Sequence, residues 1–273
     1  MIRCLVLTFL LLAVQLGAGR VAARDLCAAA DDVSGSITPL PHVAAALKAG
    51  GTLRILAVGS ATMFGPDASL VPGTMTSQLL GNTAPAIPST PTPLNQEASD
   101  RAFPRQMARA IQAAVPRLNV QVVVRGGRGM SAADMLGSMQ MELAQGRYQL
   151  ILWQTGTVEA VRNTPPGDFA QTLSAGVEAA EAAEADLVLI DPQYSRFLQA
   201  NSNLDPYAQA MQQAAAMPGV LLFRRFDLMR SWANDGQIDL ERTPRSERKQ
   251  IVDTLHACLG ARLARAVLAG ARS

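Results

Sequence analysis

The sequence predicts a three-layer α/β/α sandwich on a parallel sheet of about five strands. From Thr52 onward, short apolar runs rich in β-branched residues alternate with longer amphipathic stretches, the rhythm of strands joined by crossover helices. The runs are apolar throughout rather than at every second position, as in strands covered on both faces. The chain's 273 residues, 49% apolar and 17% charged, suffice for one well-buried domain and exclude a disordered chain.

Taken in order, Arg3 precedes an apolar run from Cys4 to Leu16 and then the small-residue stretch Gly17 to Ala23. This pattern predicts a secretory signal peptide at residues 1–23 and a single mature domain at 24–273. An uncleaved anchor is the other reading, although the run is shorter than the roughly 20 apolar residues a membrane span needs. The predicted strands are Leu53 to Val58, Val120 to Val124, Leu150 to Trp153, Leu187 to Ile190 and Val220 to Phe223. Helices are expected at Pro104 to Val115, Ser131 to Ala144, Asp168 to Ala185, Asp205 to Ala216 and Leu255 to Leu268. The segment from about 66 to 100 has no period and carries Pro85, Pro88, Pro91 and Pro93, so it reads as an insertion. It follows the first strand, where ligands sit in an open parallel sheet, and is read either as a lid or as a surface loop.

Removing residues 1–23 takes away Arg3 and Arg20 and no acid, leaving 22 basic and 22 acidic residues. That neutral balance gives no reason to expect a nucleic-acid partner, and no local basic patch stands out. Nor is a membrane partner expected once the leader is cut. His42 and His256 are the only histidines, too few for a His-built metal site, so neither metal nor organic cofactor is expected. Cys27 and Cys258 remain after cleavage as a candidate disulfide for an oxidising compartment, two free thiols being the alternative. Periplasmic or secreted residence follows as an expectation.

Asp253 stands three residues before His256, a spacing that brings a carboxylate and an imidazole to one side of a helical turn, where the acid can orient the ring. Ser60 in the turn after the first strand is the nearest hydroxyl, and a turn residue or helix N-cap is its other reading. Asp191 and Gln193, beyond the fourth strand, fit either a ligand contact or a cap.

Four blocks resemble the SGNH (GDSL-type) hydrolases. Ile55 to Gly65 resembles their first block; Arg125-Gly126-Gly127-Arg128-Gly129-Met130-Ser131 resembles the glycine block; Trp153 to Glu159 holds the place of the Gly-x-Asn block; Asp253 to His256 resembles the closing Asp-x-x-His block. The resemblance implies a flavodoxin-like sandwich and ester hydrolysis by a serine, with His256 as base, Asp253 orienting it and Gly129 giving an oxyanion donor. With Gly59 and Gly65 aligned, however, the nucleophile's position is Ala61 and the Asn position is Val158. Loss of a nucleophile costs about 10⁶ in rate in a protease precedent, and loss of an oxyanion donor about 10² to 10³. The resemblance therefore implies an exported fold with impaired or lost deacylation, holding a small acylated ligand or an envelope glycan. The alternative is an active esterase or acyltransferase in which Ser60 attacks with His256 and Asp253, and Gln154 completes the oxyanion hole. A nucleotide-binding sandwich is the third reading, opposed by the absence of Gly-x-Gly-x-x-Gly after the first strand.

Overall fold

The computed structural model describes Cys27 and residues 38–70, 91–94 and 96–273; the expected leader lies outside them. The first helix, α1 (Pro41–Ala49), starts on a proline whose missing N–H costs nothing at that position. The Val43 N–H is capped by the Asp186 carboxylate, 143 residues away. Strand β1 (Gly51–Gly59) follows, then a 3₁₀ turn (Ala61–Phe64), α2 (Pro66–Leu70) and the two-residue β2 (Thr92–Pro93). Helix α3 (Phe103–Ala114) leads to β3 (Leu118–Arg128), α4 (Ala132–Gln145) to β4 (Leu150–Gln154), and α5 (Thr157–Arg162) with α6 (Pro166–Ala182) to β5 (Asp186–Ile190). The chain ends through α7 (Arg196–Asn201), α8 (Asp205–Ala214), β6 (Val220–Phe223), α9 (Arg225–Asn234) and α10 (Arg248–Gly270).

The sheet runs β2-β3-β1-β4-β5-β6. Five strands are parallel, as expected, and β2 adds a short antiparallel edge by pairing Thr92 with Arg128 and Pro93 with Gly127. Side-chain alternation divides the core into two layers. Leu53, Ile55 and Ala57 of β1 face α3, α9 and α10, whereas Leu56 and Val58 face α4, α6 and α8. The same division sends Leu152 of β4 to the first layer and Trp153, fully buried, to the second. Trp153 is therefore core. Because β3 lies on one side of β1 and β4 on the other, the chain reverses direction across the sheet between β1 and β4, where such sheets open a crevice at their carboxyl ends.

The structure corrects the sequence reading at several elements. α10 begins at Arg248, seven residues before its expected start, and α9 was not foreseen. The apolar residues of α9, Leu228, Met229 and Trp232, are interleaved with Arg225, Asp227 and Arg230, which dilutes the periodic signal. The insertion opens with α2 and closes with β2, so it is partly built into the sheet; residues 71–90 and 95 lie outside the described set. Cys27 and Cys258 form a disulfide across 231 residues, a closure stabilising by roughly 5.5 kcal/mol on chain-entropy grounds. Among the described residues no helix is long and apolar enough to cross a membrane.

α10 meets α3 at Gly260, where an added Cβ would lie 2.5 Å from Gln106 Cβ and 2.9 Å from the Met107 backbone nitrogen. We expect Gly260→Ala to lower unfolding free energy by about 2 kcal/mol, the range of overpacked cores, measured by denaturant titration. A change under 0.5 kcal/mol would show that the helix pair separates freely.

Candidate functional site

β1 and β4 end side by side, Val58 opposite Trp153, which brings Ser60 and Gln154 together at the crevice. Ser60 is extended, and its carbonyl accepts the Met63 N–H at 3.0 Å to start the 3₁₀ turn. Its side chain caps nothing. Instead Gln154 Nε2 donates to Ser60 Oγ at 2.6 Å, Thr62 Oγ1 donates to Gln154 Oε1 at 2.7 Å, and the two hydroxyls lie 3.1 Å apart. Since the Thr62 proton is spent on the amide oxygen, the Ser60 proton points to Thr62 Oγ1. The result is a closed ring of three hydrogen bonds. Turning the amide over reverses every donor and leaves the ring closed. Thr62 was missed in the sequence; the signal was a second hydroxyl two residues along the same turn.

The glycine block owes its composition to close approach. Gly126 has φ +130°, and a Cβ there would stand 1.8 Å from the Gly59 carbonyl oxygen. No other residue fits. Gly129 lies just beyond β3 with φ +67°, leading into α4, which Ser131 and Asp134 cap reciprocally. Ala61 is buried at the start of the 3₁₀ turn, and Val158 is buried in α5. Beside Val158, the 2%-exposed Glu159 accepts the Ala132 N–H at 2.5 Å and the Gly156 N–H at 3.0 Å. It fastens the third block to α4, a role sequence reasoning did not assign.

The expected Asp253–His256 pair does not form. His256, 3% exposed, accepts the Phe103 backbone N–H on Nδ1 at 3.1 Å. The two rings lie 5.9 Å apart. Asp253 turns away, both its oxygens 2.7 Å from Arg101 Nη1, while Arg101 Nη2 pairs with Asp67 of α2. The reason is competition: the first turn of α3 presents an orphan N–H to the imidazole, and the Arg101 guanidinium offers the carboxylate a cation that both its oxygens reach. A neutral ring whose Nδ1 accepts must carry its proton on Nε2. Burial, with the Arg225 and Arg101 cations nearby, pushes the His256 pKa down to about 3. Such a ring can donate from Nε2 but cannot take a proton there.

Asp191 caps α9, accepting the Phe226 N–H at 2.8 Å, and burial lifts its pKa to about 7. Arg225 is fully buried beside it, its Nε without a hydrogen-bond partner among the described residues, and burial lowers its pKa to about 10. Gln193 lies in the segment between β5 and α7. Among the described residues no cluster of three or more His, Cys, Asp or Glu side chains is placed to hold a metal ion.

Two buried groups thus titrate with opposite sign. The depressed His256 contributes stability that is present above its unfolded pKa of about 6.5 and fades as pH falls toward 3; the raised Asp191 contributes stability that is present below about 3.9 and fades as pH rises through 7. Between pH 4.5 and 6.5 they offset one another. Asp191→Asn should therefore gain stability with rising pH more steeply than the parent, by up to about 1.4 kcal/mol per pH unit, and His256→Asn should shift the slope the opposite way. Denaturant unfolding at pH 4.5, 5.5 and 6.5 reads both; parallel curves for all three proteins would refute the assignment.

A family model described as the Non-GDSL lipase-like family matches residues 26–273. Among solved structures, the chain resembles the lipase/acylhydrolase from Enterococcus faecalis at 14% identity, TM-score 0.51, covering 78% of this chain and 94% of that one. It also resembles a catalytic mutant of an acetylxylan esterase from Geobacillus stearothermophilus at 13% identity, TM-score 0.52, covering 80% and 94%. A two-domain esterase active on acetylated mannans matches at 9% identity, TM-score 0.54, covering 85% and 52%. At these identities the likeness is one of fold. A search of curated proteins returned no match.

Proposed function

The chain belongs to the Non-GDSL lipase-like family, and we propose that it is an exported SGNH-fold protein in which carboxylic ester hydrolysis has been lost and the crevice kept for binding. One observation carries this reading: the Phe103 N–H occupies His256 Nδ1, where a hydrolase needs a carboxylate. A base must be unprotonated on Nε2 and tuned near the working pH; His256 is neither. The nucleophile position holds Ala61, and the Ser60 hydroxyl is committed within its ring. Val158 offers no oxyanion donor in place of Asn. Each change alone suppresses turnover by orders of magnitude.

Export is supported by the leader-like residues 1–23 and by the Cys27–Cys258 bond, a bond that persists in oxidising compartments. The ligand is an acylated small molecule or an envelope glycan, a class in keeping with the acetylated polysaccharides named for two structures of similar fold.

The mature chain is assayed with short-chain aryl esters beside Ser60→Ala and Ala61→Ser. We expect all three to match buffer, because restoring the nucleophile leaves the base in the wrong tautomer. Turnover by the parent that Ser60→Ala abolishes would overturn the proposal and establish the shifted nucleophile.

A further inference from the structure

A cleft of about 760 Å³ opens at the β6 edge of the sheet, between the segment joining α7 to α8 on one side and α9 on the other. Its size is that of small-molecule sites, about 300–1,000 Å³. The base is Leu222 of β6. The Gly219 carbonyl accepts from Leu187 of β5 and the Phe223 carbonyl from Asp191 just beyond it, so Leu222, at an alternate position, turns its backbone N–H and C=O outward along the edge of the sheet.

The chemistry of the walls is specific. Arg224 and Arg230 both pair with Asp227, at 2.5 and 2.7 Å, and Arg230 also stands over the Phe226 ring at 5.5 Å. Asp205 also lines the cleft, so two carboxylates stand against the two guanidinium groups and leave no excess charge for an ionic ligand. Asn201 and Asn203 are engaged with the local backbone. The Gln199 and Gln212 amides and the Ser202 hydroxyl line the cleft without a hydrogen-bond partner among the described residues. Each amide sets a donor beside an acceptor, the complement of two neighbouring hydroxyls, each of which can accept from one and donate to the other.

The cleft wall packs against the segment that follows Gln154. Pro192, on its rim, lies 3.1 Å from where a Gly156 Cβ would be, two residues beyond Gln154. We infer that this cleft is a binding site for a neutral oligosaccharide, held by the Gln199 and Gln212 amides and leading toward the Ser60 ring. The inference deepens the glycan class named above. It does not depend on the loss of hydrolysis, so an active enzyme could still bind here, and failure to bind would leave the ester result standing.

The test is calorimetric titration of the full mature protein with cellohexaose, mannohexaose and maltohexaose, and with polygalacturonate as the charged comparison. At least one neutral hexasaccharide should bind saturably with millimolar or tighter affinity. Gln199→Ala with Gln212→Ala should weaken it about tenfold or more, as loss of two hydrogen bonds predicts. Both side chains are exposed, so an unchanged melting temperature separates binding from folding. Failure of all three neutral sugars, undiminished binding by the double variant, or preference for polygalacturonate would each overturn the inference.

Discussion

His256 stands between two groups that compete for one nitrogen. The Phe103 N–H, freed at the start of α3, reaches Nδ1, and Asp253 on the same face of α10 is drawn to Arg101. Once the backbone donor is in place, the ring's proton must sit on Nε2, burial keeps the ring uncharged, and α10 is fixed against α3 at the contact Gly260 permits. One hydrogen bond thus links the two helices and sets the tautomer of the imidazole. The residue pair Asp253 and His256 survives as sequence, and its members have become a surface clamp and an internal helix cap.

The crevice side behaves likewise. In a hydrolase the serine proton needs an outlet; here Ser60, Thr62 and Gln154 absorb each other's donors in a loop that returns to its start. Such a ring ties the residue after β1 to the last residue of β4. The close passage of Gly126 by Gly59 narrows the other flank of the same strand end. Rigidity here is a property of backbone spacing.

The sandwich was legible because its signal is collective. Five apolar runs with helical stretches between them leave one economical arrangement, and Leu53 to Val58 and Leu187 to Ile190 emerged as parallel strands as expected. Ser60 and Gln154, read from separate blocks of the resemblance, do meet. What spacing could not reveal was which partner each polar group would choose. Asp253 and His256 share a helix, but Arg101 and Phe103 arrive from 152 and 153 residues away, and no local pattern announces them. Thr62 and Glu159 were missed for the same reason, since each becomes important only through a distant strand or helix. β2 escaped notice because two residues carry no periodicity.

The bridge from Cys27 to Cys258 joins the first described residue of the domain to its last helix. The bond cannot close until the chain has been made through Cys258, after every strand of the sheet. It therefore fastens α10 to the segment ahead of α1 once all the pieces between them are present. Reduction would return to the unfolded chain the freedom that this closure removes, so the stability of the fold depends on the redox state of its compartment.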